Sequence, residues 1–262
     1  MPSSVPRVLA SAPPTDVVVA RVATLRHRIE EAGRDPAGVR IVAVTKGFTS
    51  SAVDAARRAG LYDIGENYAD ELLTKSEGGA GAPSAHLTRH DGGDDDDADA
   101  DPGFGDGGFG DGEPETRWHY LGAVQRRRVR VLAPVVSCWQ TLSRLVEGVT
   151  IASHAPGATV LVEVDTTGAP GRNGCVPSEV PALVASLRDL DLDVRGLMTV
   201  APPGTPDQSR PAFRLTAQLA RDLGLPEVSM GMTDDLDVAL SEGTTMVRVG
   251  RALFGERPLR PA

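Results

Sequence analysis

The chain has 262 residues and 40% apolar content, enough to bury a sizeable core and near the roughly 250 residues typical of one (β/α)8 barrel. Its formal net charge is −9, but residues 78–116 hold eleven acidic side chains against Arg89 alone, so the rest carries 25 acidic and 26 basic residues, a net of +1. That balance excludes the basic face of a nucleic-acid binder, and no stretch approaches the ~20 consecutive apolar residues that span a bilayer.

The opening MPSSVPRVLASAPPTD has too weak an apolar centre for a signal peptide, so a cytoplasmic protein is expected. Cys138 and Cys175 match neither a redox pair nor a zinc spacing and read as free thiols. Of the 27 basic residues only Lys46 and Lys75 are lysines. An amine kept in an arginine-rich chain raises the question of amine chemistry, because a guanidinium stays protonated and forms no imine under ordinary conditions.

Residues 1–15 read as a flexible N-terminus. Asp16 to Ala32 then has helical apolar spacing, an aspartate suited to the N-cap and Gly33 just beyond its end. This helix fits a plug over a barrel floor. Next come the unalternating β-branched run IVAVT (41–45) and a helix SSAVDAARRAG that starts on a serine cap. The same alternation recurs as YDIG then ENYADELLTKS, WHYLG then VQRRRVRVLA, VVSCWQ then TLSRLVEGV, and TVLVEV then SEVPALVASLRDL. It ends with VRGLMTV then DQSRPAFRLTAQLARDL, EVSMG then TDDLDVALSEG, and TMVRVG with a short tail helix. Eight strands each followed by a helix predict a single (β/α)8 TIM-type barrel over 16–77 and 117–258. An open doubly wound sheet is the alternative, but VTKGFTSS is not the glycine-rich fingerprint expected after its first strand.

Residues 78–116, with GGDDDDADAD and GFGDGGFGDGE, lack the branched apolar residues of a core and read as a disordered acidic insertion. A variant without residues 80–115 is expected to fold normally, because loop closure costs little per residue. Precipitation or a lowered melting temperature would instead show that the segment packs on the barrel.

In such a barrel the site forms at the C-terminal strand ends. That places Lys46 after strand 1, Asn67 after strand 2, His119 within strand 3, Met198 at the end of strand 6, Ser229, Met230, Gly231 and Thr233 after strand 7, and Arg248 and Gly250 at strand 8. Lys46 is either a solvated strand-end lysine or an amine held in the mouth, where burial and Arg248 would favour its neutral, nucleophilic form. Lys75, at a helix end beside the insertion, reads as surface charge. SMGMT before a helix start suits a phosphate dianion, although serine and glycine there are also ordinary capping residues. Gly250 can bring a backbone N–H to the same anion.

VTKG at Lys46, IGENYADE from Ile64, RWHYLGAVQ from Arg117, RGLMTV from Arg195, SMGMTDDLDVAL from Ser229 and TTMVRVGRALFG from Thr244 resemble, in order, the motifs of the YggS/PROSC family of pyridoxal 5'-phosphate (PLP) homeostasis proteins. The resemblance implies an alanine-racemase-like barrel, PLP joined as a Schiff base to Lys46, and its phosphate on Ser229, Thr233 and Gly250 with Met230 and Gly231 alongside. It also implies Arg248 at the pyridine nitrogen, Asn67 and Met198 along the ring and His119 at the rim. For His119 a packed barrel histidine is the competing reading.

Two departures stand out: Arg172 in GRNGC replaces a family lysine proposed to help handle PLP, and VQRRR replaces LQSNK. The second adds Arg126 to Arg128 near the rim, where they would attract the cofactor's anion. The implied role is a monomeric cofactor carrier without turnover, serving PLP-dependent apoenzymes. A PLP-dependent racemase or lyase is the alternative, but only twelve residues follow Gly250, leaving no room for the racemases' second domain and its tyrosine. Tyr68 and Tyr120, near strand ends, are the substitutes to consider. A barrel for a phosphorylated sugar is a third class, which would show no PLP absorbance.

Overall fold

A computed structural model describes residues 9–77 and 114–256. The expectations for residues 1–8, 78–113 and 257–262 lie outside the described residues. The strands β1 (Arg40–Val44), β2 (Asp63–Glu66), β3 (Arg117–Tyr120), β4 (Val136–Leu142), β5 (Thr159–Glu163), β6 (Asp193–Met198), β7 (Glu227–Ser229) and β8 (Met246–Val249) close one parallel barrel in chain order, with β8 paired to β1. Helix α1 (Thr15–Glu31) precedes them. The strands are followed in turn by α2 (Ser51–Arg58), α3 (Ala69–Glu77), α4 (Arg126–Leu132), α5 (Leu145–His154), α6 (Val180–Arg188), α7 (Arg210–Asp222), α8 (Leu236–Ser241) and α9 (Arg251–Phe254).

Unalternating apolar strands arise because both faces are buried, on different partners. Val42, Cys138, Leu161, Met198 and Met246 fill the barrel interior as one cluster. Their chain neighbours Ala43, Trp139, Val160, Leu197 and Val247 point outward into the layer shared with the helices. The period of two thus separates the layers although hydropathy along each strand does not.

Several local expectations are corrected. Helix α1 begins at Thr15 behind Pro14, with Asp16 inside its first turn. It does not plug the floor but packs against α2, α8 and α9 in the outer ring. The four-residue α9 that follows β8 is too short to cover the β8–β1 seam, and α1 buries Val18, Val22, Leu25 and Ile29 there. Residues 9–14 are held rather than loose: Ala10 bridges in parallel to Phe48, and the Ala12 N–H donates to Ser51 Oγ at 2.9 Å. Ser50 stands at the N-cap of α2 without a side-chain capping bond. Strand β4 continues through Thr141 and Leu142, which the sequence pattern assigns to a helix.

Candidate functional site

The C-terminal strand ends surround a cavity of about 520 Å³. Six of the ten expected residues line it: Lys46, Asn67, Met198, Thr233, Arg248 and Gly250. Each comes from a strand end or the turn after it, as the barrel geometry requires. Thr233 Oγ1 accepts the Ala252 N–H at 3.2 Å, leaving its hydroxyl hydrogen to donate toward the cavity. Asn67 Nδ2 donates to Leu121 O at 3.3 Å, while its buried Oδ1 has no hydrogen-bond partner.

Arg248 is fully buried, and burial pushes its guanidinium down to about 10, so it remains a cation at neutral pH. Its Nη1 donates to the carbonyl and hydroxyl of Ser229, both at 2.7 Å, and its Nη2 to Thr199 O at 2.7 Å. Behind it runs a polar chain through the barrel. Ser229 Oγ donates to Gln140 Oε1 at 2.8 Å, Gln140 Nε2 lies 2.7 Å from His119 Nδ1, and His119 Nε2 lies 2.8 Å from Asp63 Oδ1. An arginine only donates and a carboxylate only accepts, so every hydrogen in this chain points from Arg248 toward Asp63.

Four expected residues do not reach the cavity. His119 is not at the rim; it is buried inside the barrel, toward the N-terminal strand ends, because Asp63 at the start of β2 draws its ring inward. Ser229, expected on a phosphate, is also buried, with its hydroxyl spent on Gln140 and Arg248. Met230 sits in the outer core. Gly231, at φ 93°, faces Ala239, which a side chain at that position would strike. Of the two tyrosines considered as acids or bases, neither lines the cavity, and Tyr120 is buried edge-on to Trp139.

The sequence reading missed Met232, Asp234 and Arg251, which line the mouth one or two positions past the residues chosen. Arg251 pairs with Asp234 across the turns after β7 and β8. Taking one further residue beyond Thr233 and Gly250 would have found both. Arg172 does not line the cavity but donates to the carbonyl of Val200, which does, at 2.8 Å. Arg128 pairs with Asp70 of α3, so part of the added charge of VQRRR is already answered.

Lys75 corrects the expectation of a surface lysine, being only 2% exposed. Its Nζ donates to Glu66 at 2.5 Å, to Glu71 at 3.3 Å and to the Thr45 carbonyl at 2.8 Å. The pairing with Glu71 spans one turn of α3, so both side chains point from the helix onto the end of β1.

The alanine racemase N-terminal domain model matches residues 21–258. A Pseudomonas aeruginosa protein called pyridoxal phosphate homeostasis protein is 33% identical over 91% of this chain and 94% of its own. Among solved structures, PipY of Synechococcus elongatus without PLP superimposes with a TM-score of 0.71 at 25% identity, covering 91% of this chain and all of PipY. PipY with PLP bound has a TM-score of 0.68 at 24% identity over the same shares.

Proposed function

The chain belongs to the alanine racemase N-terminal domain family and, within it, to the pyridoxal phosphate homeostasis proteins, and on that premise we propose that it binds PLP through Lys46 and carries it without turning over amino acids. The observation that carries this reading is the meeting of Lys46, Arg248, Thr233 and Gly250 in one cavity at the strand ends. When bound, PLP supplies an aldehyde for a primary amine, a phosphate dianion and an electron-withdrawing ring. Lys46 provides the amine. Thr233 and the Gly250 backbone are assigned to the phosphate, while Asn67, with its unpartnered buried oxygen, and Met198 are assigned to the ring. The buried oxygen of Asn67 is the kind of atom a ligand's polar group completes.

Arg248 supports the carrier reading. A guanidinium that stays charged at neutral pH would, if it faced the ring nitrogen, keep that nitrogen unprotonated and weaken the ring as an electron sink. Among the described residues the acids lining the mouth are Asp234 and Glu256, and both are paired with Arg251. The cofactor would therefore leave unchanged, handed to PLP-dependent apoenzymes.

Borohydride reduction of the PLP-loaded protein is expected to fix a pyridoxyl label on Lys46 alone. A label on Lys75 or the N-terminal amine would overturn the assignment. Incubation with L-alanine, D-alanine and L-serine is expected to give no more racemisation or keto acid than free PLP. Sustained turnover that disappears in Lys46→Ala would make the protein an enzyme.

A further inference from the structure

We propose that Glu66, Glu71 and Lys75 form a positioning clamp for Lys46, fixing the peptide planes on both sides of it so that its amine meets the aldehyde in one orientation. The proposal rests on Lys46 as the attachment residue. The Thr45 carbonyl belongs to the peptide plane before Lys46, and the Gly47 N–H to the plane after it. Lys75 Nζ donates to that carbonyl at 2.8 Å, and Glu71 Oε2 accepts that N–H at 2.8 Å. One ammonium between two carboxylates ties these contacts together, and the Thr45 hydroxyl adds a bond to Glu66 Oε1 at 2.6 Å.

From the other side, the Gly47 carbonyl accepts the Ala10 N–H at 3.0 Å, and Gly47 itself adopts φ 81°, which other residues take only under strain. With both planes held, φ and ψ of Lys46 are set, and so is the direction of its Cα–Cβ bond.

Stability alone does not explain the trio, because buried ion pairs roughly break even against apolar side chains of similar volume. Apolar residues would pack there but would hold neither the carbonyl nor the N–H beside Lys46. Lys75 is also unsuited to attack an aldehyde, since its three hydrogens are committed to Thr45, Glu66 and Glu71. Of the chain's two lysines, one attaches and the other aims.

Two ligands separate aiming from folding. PLP needs the Lys46 amine, whereas pyridoxamine 5'-phosphate presents the same phosphate and ring without an aldehyde. Lys75→Met is expected to raise the half-saturating PLP concentration about tenfold or more while changing that for pyridoxamine 5'-phosphate by less than about threefold, as loss of preorganisation at one group would. If Lys75→Met does not fold, the charge-balanced Glu66→Gln/Lys75→Met variant is measured instead, with circular dichroism establishing the fold. Equal weakening of both ligands, or no change in PLP binding by a folded variant, would overturn the clamp alone. A wild-type protein that acquires no borohydride-fixed label on Lys46 would bring down the attachment assignment with it.

Discussion

Gly196→Ala is expected to destabilise the protein by about 3 kcal/mol, a large share of the roughly 5–15 kcal/mol that holds a typical domain together. Gly196 lies in β6 directly opposite Glu227 of β7. A Cβ added there would stand 2.0 Å from the Glu227 carbonyl oxygen and 2.7 Å from its carbon. Both are backbone atoms, so no side chain can turn away, and the strands must separate. Two positions along the same pair, Met198 lies opposite Ser229, the residue that holds Arg248, so cofactor retention should fall with stability. Urea unfolding of Gly196→Ala beside Gly38→Ala, where a Cβ meets nothing within 4 Å, checks this. A loss of less than about 1 kcal/mol would show that the β6–β7 pairing yields cheaply.

The same glycine illustrates which features the sequence made legible. Strand number, order and closure follow from eight short apolar runs separated by helical ones, and the site's place at the strand ends follows from the fold. Lys46, Asn67, Met198, Thr233, Arg248 and Gly250 were within reach for that reason. Ser229 was expected on the ligand and His119 was left open between the rim and a packed barrel interior, because a polar residue on a buried strand has the same hydropathy whether it faces a ligand or another polar side chain. Deciding between them requires Gln140, which lies 21 residues from His119 and 89 from Ser229. Lys75 was misread for a related reason. A lysine near a helix end beside acidic residues has the pattern of a solvated face, and only the packing of α3 against β2 puts Glu66 beside it.

Asp63→Asn is expected to lower stability by about 2–3 kcal/mol at pH 7 and to flatten its loss in acid. Burial works against a charged Asp63, but hydrogen bonds from Arg117 and His119, with the charge of Arg117, outweigh it and hold the carboxyl well below the usual range. Arg117 reaches it through Nε at 2.9 Å and Nη2 at 2.6 Å, and His119 through Nε2 at 2.8 Å. A carboxylate whose folded value is depressed contributes stability that is fully present above its unfolded value of about 3.9 and is lost as pH falls through the folded one. Wild-type stability should therefore drop more steeply than that of Asp63→Asn below about pH 4, and the two curves should converge. Glu66 and Glu163, both raised by burial, contribute in the opposite sense, with stability present at low pH and lost as pH rises through their folded values. They occur in both proteins and cancel in the difference. Asparagine can still accept from His119 through its oxygen, so the hydrogen directions along Gln140, Ser229 and Arg248 are kept, and PLP binding at pH 7 should change less than stability does. Urea midpoints at pH 7, 4 and 3 test the first part and PLP titration at pH 7 the second; parallel pH curves would show that Asp63 is not the group whose protonation weakens the barrel in acid.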